Sequence, residues 1–450
     1  MTSPIHALPT ELIRMIVKNV PKQDLKRLRL ASRKFHREAS EILFRRVYAS
    51  PHKKDLSVLS DIANHPVLRC CPCEIVYVGV FFDPLVSQKH WFGREHPEQR
   101  LSYRRGMEEQ KEMIRSGLDV DIITSALTQL PSIRKVTFSN HWCPESSNPP
   151  STRDYPSHWA RPTGNLSADI DNLGKPYCDY GLMVMCRAIS NSGRKVEEFS
   201  MHYHCSGDNI LYDHTKPCHS GFDLRSIPVD TDGIVFACRA FRSMRKIELS
   251  LTYRPNDDLF RLWKDWCAVL AKILSVATEL RELTLNFNHR QDLELEIDDK
   301  SNKLPLTAAI TARPLPMLHT LKLRRKYMQP EELIALLKPL AGTLETLELA
   351  SIYLMNGSWR ATAMALHKLE WKRLERVNFI DLGEYRGLIN LDDSIFEEDY
   401  VNCLGVDVCM LRGDPDLISE TPLEVVPFGD VWCPLDPTDD YCESFAREED

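Results

Sequence analysis

A triplet of apolar residues spaced φ-x-x-φ-x-φ returns seven times in one phase, and it restricts the fold of this chain more than any other feature. The copies are Ile133/Val136/Phe138, Val196/Phe199/Met201, Met244/Ile247/Leu249, Leu280/Leu283/Leu285, Leu318/Leu321/Leu323, Leu344/Leu347/Leu349 and Leu374/Val377/Phe379. The last two positions alternate with polar residues, as a half-buried strand requires. The first position marks the turn into that strand, and Cys73/Val76/Val78 is expected as an earlier copy. Helical patterns separate the copies. The clearest, Leu262, Trp263, Trp266, Val269, Leu270, Ile273, Leu274 and Ala277, makes one apolar face. Others run near 121–130, 182–189, 234–241, 331–340 and 362–369. Strand, crossover helix and strand, repeated, lay parallel strands side by side, because no single unit can bury both of its faces.

These copies resemble degenerate leucine-rich repeats. Regular repeats of that kind run at about 20–29 residues, whereas the intervals here are 63, 48, 36, 38, 26 and 30. The resemblance implies an irregular α/β solenoid over residues 51–390, and the uneven spacing implies insertions at about 83–106, 140–178 and 201–228. An ordinary α/β domain whose strands share this entry is the alternative. Repetition in one phase favours the solenoid.

Ahead of the repeats, residues 1–50 read as three short helices. Leu12, Ile13, Ile16, Val17 and Val20 give one amphipathic helix over 10–19, with Thr10 as its cap. Pro21 ends it, Asp24 caps a second helix carrying Leu25, Leu28 and Ala31, and Phe35, Ala39, Ile42 and Leu43 mark a third. The order Leu8-Pro9-x-Glu11-Leu12, Ile16, Val20-Pro21, Asp24-Leu25-x-x-Leu28-Arg29, Arg33-x-Phe35 and Leu43-Phe44-Arg45 resembles an F-box. With the irregular repeats behind it, the whole resembles a fungal-type F-box protein. Ala31-Ser32 stands where that family often has Val-Cys, and Phe35 and Phe44 where Trp is common. The resemblance implies docking on the Skp adaptor subunit of a cullin-type ubiquitin ligase, through Leu8, Pro9, Leu12, Ile16, Leu25, Leu28 and Leu43, some of which must also hold the module's own core. A plain three-helix cap is the competing reading. The small size favours docking, since about 40 residues rarely bury enough apolar surface to stand alone.

Binding specificity is expected in the insertions. The longest carries Trp142, Tyr155, Trp159 and Tyr177, ring side chains that serve either as target anchors or as packing that holds the insertion down. The next concentrates His202, His204, Cys205, His214, Cys218 and His219. Zinc accepts such ligands, but the spacing has no Cys-x-x-Cys knuckle, so the expectation is a His-rich surface loop and no metal. Cys70, Cys71 and Cys73 are read as core or near-core thiols.

Charge is uneven. Residues 391–450 hold 18 acidic and 2 basic residues, whereas residues 1–50 hold 11 basic and 4 acidic ones. The acidic region is expected to cap the last repeat through the clusters at 401–411 and 423–428 and Trp432. No run reaches the 18 or so apolar residues of a membrane span. The N-terminus lacks the pattern of a secretory signal, so a cytoplasmic or nuclear setting is expected, where cysteines stay reduced. Phosphate-loop, zinc-protease, nucleophile-elbow and dinucleotide motifs are missing from the sequence. The Lys322-Leu323-Arg324-Arg325-Lys326 run reads as a solvated repeat edge rather than a nucleic-acid stripe. The sequence thus points to a substrate-recognition subunit of a Skp-cullin-F-box ligase, with no catalytic residue and no cofactor. A repeat scaffold acting outside a cullin ligase is the alternative, and a metal-dependent enzyme built on the His/Cys loop a third.

Overall fold

The computed structural model describes residues 8–79, 97–139, 180–202, 227, 231–252, 259–288, 306–313, 315–355, 357–380, 382–385, 401–402 and 424–425. They form a mixed α/β chain with a helical N-terminal region, and two compact units divide it.

The first unit opens with α1 (Thr10–Lys18), α2 (Lys22–Ala31) and α3 (Arg33–Leu43). Ile13, Val17, Leu25, Phe35 and Ala39 make their core, with Leu8, Val20, Leu28, Ile42 and Leu43 packed against it. Two of the expected caps are displaced. Pro9 and Pro21 occupy the cap positions, so Thr10 is the first helical residue and Asp24 lies in the first turn of α2. Proline suits the start of a helix, where an N–H has no partner anyway. At α3 the Ser32 hydroxyl accepts from the Phe35 N–H at 3.3 Å.

Directly after α3 the chain enters β1 (Arg46–Ala49), followed by α4 (Lys53–Asn64), β2 (Glu74–Val78), α5 (Pro97–Ser116), α6 (Leu118–Gln129), β3 (Lys135–Ser139), α7 (Tyr180–Ser192), β4 (Glu198–His202) and α8 (Asp232–Phe241). Residues 97–106, expected in an insertion, are the first half of α5. β1 to β4 are parallel neighbours in sequence order. Val47, Ile75, Val136 and Phe199 share one register row, and Ala49, Tyr77, Phe138 and Met201 another. The earlier copy is therefore Pro72/Ile75/Tyr77, not Cys73/Val76/Val78. All five β2 residues are buried, so periodicity cannot tell its two faces apart, and a slip of one residue exchanges them. A still earlier copy, Phe44/Val47/Ala49, lies in the last residues of the F-box-like segment.

The helices pack on the Phe138 face. A Cβ on Gly181 would run into the Phe138 ring, so the missing side chain is what lets α7 approach the sheet. On the opposite face the strand starts carry Arg46, Glu74, Lys135 and Glu198 in one row. Arg46 Nε lies 2.8 Å and Lys135 Nζ 3.3 Å from the Glu74 carboxylate. Burial alone would raise the Glu74 carboxyl, but the Thr137 hydroxyl and these two cations outweigh it and hold it below its usual range.

The second unit takes in most of β5 (Lys246–Thr252), then α9 (Leu259–Val276), β6 (Glu282–Asn288), α10 (Leu306–Thr311), β7 (Thr320–Met328), α11 (Pro330–Leu337), β8 (Thr346–Met355), α12 (Trp359–His367), β9 (Arg376–Ile380) and β10 (Gly383–Tyr385). β6 to β9 are parallel, with Leu283, Leu321, Leu347 and Val377 in one row and Leu285, Leu323, Leu349 and Phe379 in the next. β10 runs parallel to the far half of β8. β11 (Val401–Asn402) and β12 (Glu424–Val425) pair antiparallel with each other, and the rest of the acidic region lies outside the described residues.

One hydrogen-bond device recurs at the strand entries of both units. Two consecutive N–H groups fork onto one carbonyl of the preceding strand entry. Cys73 and Glu74 reach Arg45 O, Arg134 and Lys135 reach Cys73 O, and Glu197 and Glu198 reach Arg134 O. In the second unit His319 and Thr320 reach Arg281 O, Glu345 and Thr346 reach His319 O, and Glu375 and Arg376 reach Glu345 O. The first motif residue precedes the fork and is buried in every copy, from Ile133 to Leu374.

Arg325 and Ser351 have φ of 57° and 52°. They follow Arg324 and Ala350, which are partners in the ladder, and precede Lys326 and Ile352, which are partners again. One left-handed residue in each strand shifts the alternation by one, so the core face passes from Leu321 and Leu323 to Lys326 and Met328. Lys326 is 2% exposed. The expected solvated edge at 322–326 thus holds at Lys322 and Arg324, whose side chains are 34% and 40% exposed, and fails at Lys326.

Candidate protein-docking site

α1 has two apolar stripes. Ile13 and Val17 face the module's core, whereas Leu12, Met15 and Ile16 are 45%, 61% and 41% exposed. Both stripes come from helical spacing, since residues three and four apart share a face. On α2, Leu30 is 84% exposed. Four large apolar side chains open to solvent on one small module are a docking feature, because buried area is what such a module lacks.

Charged pairs hold the face in place. Arg14 donates from Nε to Glu38 at 3.0 Å and from Nη2 to Glu41 at 3.2 Å, and Arg37 Nε reaches the other Glu38 oxygen at 3.0 Å. Glu38 is 1% exposed, so α3 anchors α1 through a buried carboxylate with charged hydrogen bonds to both oxygens. The hydrogen bond to Glu38 raises the Arg14 guanidinium pKa further. Lys34 Nζ donates to Leu8 O at 3.4 Å, and the Arg29 guanidinium lies 5.2 Å from the centre of the Phe44 ring.

Of the residues expected at this face, Pro9, Leu12 and Ile16 are exposed. Leu8, Leu28 and Leu43 are half-buried against the core, and Leu25 is 1% exposed inside it. Met15 and Leu30 join the exposed set unforeseen. Met15 could be found one turn on from Leu12, and Leu30 by its place off the Leu25–Leu28 stripe.

Trp142, Tyr155, Trp159 and Tyr177 lie outside the described residues, as do His204, Cys205, His214, Cys218 and His219. Of His202 only the backbone, the last residue of β4, is described. Among the described residues no group of three or more His, Cys, Asp or Glu could hold a metal ion, and no helix is long and apolar enough to cross a membrane. Cys70 is exposed and Cys71 and Cys73 are half-exposed, not core thiols. They precede β2 in a turn where the Cys73 thiol donates to Arg45 O at 3.4 Å.

Two interior polar clusters complete the inventory. Asp119 accepts from the hydroxyls of Tyr77 at 3.2 Å and Tyr180 at 2.9 Å and from the Val120 N–H at 2.9 Å, tying α6 to β2 and α7. In the second unit Lys326 Nζ lies 5.4 Å from the centre of the Phe287 ring. Burial lowers the Lys326 pKa, and attraction to Glu332 opposes that. Burial raises Glu332 and pushes the neighbouring Cys267 thiol up to about 12. A thiol so hard to ionise is a poor nucleophile.

Residues 5–50 match the family described as F-box-like. No curated protein matches the chain.

Proposed function

We propose, from an F-box-like domain with an exposed apolar row on its first helix, that this chain is the substrate-recognition subunit of a Skp-cullin-F-box ubiquitin ligase. F-box domains typically bind the Skp adaptor. The observation that carries the reading is the row Leu12, Met15 and Ile16, held out on α1 while Ile13 and Val17 fill the core. The adaptor covers that row, and through it a cullin is recruited. A target held by the remainder of the chain is brought near the charged conjugating enzyme, so this subunit acts by proximity and is not itself a catalyst.

The target-binding region is read as an irregular leucine-rich-repeat-like solenoid. Its support is the recurrence of one entry fork, one register and one buried triplet in both units. Leu280-x-x-Leu283-x-Leu285-x-x-Asn288 also carries the asparagine of the leucine-rich pattern. Trp142, Tyr155, Trp159 and Tyr177 are proposed as target contacts, and the cytoplasm and nucleus as the setting.

Co-expression with a Skp adaptor, followed by size-exclusion chromatography with and without a cullin N-terminal region, tests this. A ternary complex is expected. Ile16→Asp should leave the fold intact and cost about 2 kcal/mol of lost apolar burial, about thirty-fold in Kd. Undiminished capture would sink the docking assignment. Adaptor binding without cullin would favour the second reading, a non-catalytic scaffold acting outside a ligase.

A further inference from the structure

Three thiols stand outside the core at the entry to β2, in the order Cys70-Cys71-Pro72-Cys73. Cysteine is among the most readily buried residues, and a thiol kept at the surface is retained for its reactivity more often than for packing. The turn that carries these three is fixed at both ends. Ahead of it the Cys70 N–H bonds to Val67 O at 3.3 Å and the Cys71 N–H to Leu68 O at 3.0 Å, while Cys70 O accepts from the Ser132 hydroxyl at 3.0 Å. Beyond it the Cys73 N–H bonds to Arg45 O at 2.8 Å, and Cys73 O accepts from the Arg134 and Lys135 N–H groups. Between the two ends Cys71 has right-handed helical backbone, which draws Cys70 and Cys73 closer than an extended link would. The thiols are not equivalent. Burial first, then the charges of Glu41 and Cys70, raise the Cys71 thiol above its ordinary range and keep it protonated and slow to react. One peptide sets the Cα atoms of Cys70 and Cys71 about 3.8 Å apart, short of the 4.4 Å or so that a relaxed disulfide needs. Cys70 and Cys73 remain as the pair suited to join, with Cys70 the more open to a small oxidant.

We propose that Cys70 and Cys73 are a reversible oxidation site for peroxide, placed where the F-box-like segment enters the first sheet. The Cys70 sulfur attacks one peroxide oxygen, the O–O bond breaks and water leaves, giving a sulfenic acid. The Cys73 sulfur then displaces the sulfenic oxygen as a second water, so an S–S bond forms and the S–O bond breaks. The two thiols give up two protons and two electrons, and the peroxide is reduced to two waters. A dithiol reductant reverses the bond by exchange. The Cys73 thiol donates to Arg45 O at 3.4 Å before oxidation. The disulfide removes that donor and leaves the Cys73 and Glu74 N–H groups on the same carbonyl. In a reducing compartment such a bond is transient and acts as a sensor. The inference stands apart from the ligase reading.

The full chain, reduced with dithiothreitol and desalted, is treated with stoichiometric hydrogen peroxide, alkylated and digested with trypsin. Cleavage after Arg69 releases one peptide that holds all three cysteines. Mass spectrometry should find that peptide lighter by two hydrogens, with Cys71 alkylated, Cys70 and Cys73 protected, and the protection removed by dithiothreitol. The buried Cys186 and Cys267 are internal controls and should stay reduced. Cys71→Ser should keep the bond, whereas Cys70→Ser and Cys73→Ser should each abolish it, with circular dichroism as the check on folding. Mapping on the unaltered chain decides even where a variant misfolds. Cys70 and Cys73 still open to alkylation, a bond that includes Cys71, a cross-link between two chains, or oxidation of Cys186 and Cys267 in step with the pair would each overturn the proposal. So would sulfinic acid at Cys70 in place of the disulfide.

Discussion

Glu74 sits at the head of β2 between two cations, and its acidity contributes to how the first sheet responds to pH. Its folded pKa lies below the ordinary 4.5. Its contribution is therefore fully present above about pH 4.5 and lost as pH falls through the folded value. Glu74→Gln should cost about 1 kcal/mol at pH 7, and that cost should shrink as pH is lowered below 4.5, measured by urea denaturation across the range. Lys326 poses the opposite case, a cation carried into a core by backbone geometry. Glu332→Leu would leave that cation buried without its carboxylate and should cost about 3 kcal/mol. Lys326→Met together with Glu332→Leu should return stability to the wild-type level or above, read from chemical denaturation midpoints. Neither fate was written in the local sequence. Leu25 and Leu12 look alike as helix positions, yet one is core and the other open, because a stripe pattern does not say which of two faces meets the neighbouring helix.

At the scale of elements, the repeated strands were legible because each copy buries three residues at fixed spacing, whatever the length of chain between copies. The phase of β2 was not, since hydrophobic residues on both faces erase the period-two signal. The kink at Arg325 and Ser351 was also invisible, because a left-handed residue usually announces itself as glycine and here does not. Gly181 is the reverse, an inconspicuous glycine with a specific duty. Gly181→Ala should push α7 off Phe138 and cost about 1–3 kcal/mol by overpacking. Phe138→Leu in the same chain should recover part of that loss, as seen in the thermal midpoint.

For the whole molecule, charge and continuity matter more than any single contact. The basic N-terminal segment and the strongly acidic region at 391–450 were plain from composition, since summed charge needs no structure. The insertions bearing Trp142, Tyr155, Trp159 and Tyr177 lack periodicity, so the sequence gives them chemistry without placement. The division at residue 50, by contrast, does not separate helices from sheet. β1 starts three residues after α3 ends, and its neighbour β2 is hydrogen-bonded back to Arg45. That splice makes the end of the F-box-like segment the first strand of the first unit's sheet. A displacement of α3 is thereby passed directly to β1 and, through the two N–H groups on Arg45 O, to β2. Lengthening the link between α3 and β1 would pull Arg45 O away from the Cys73 and Glu74 N–H groups and loosen the start of the first sheet.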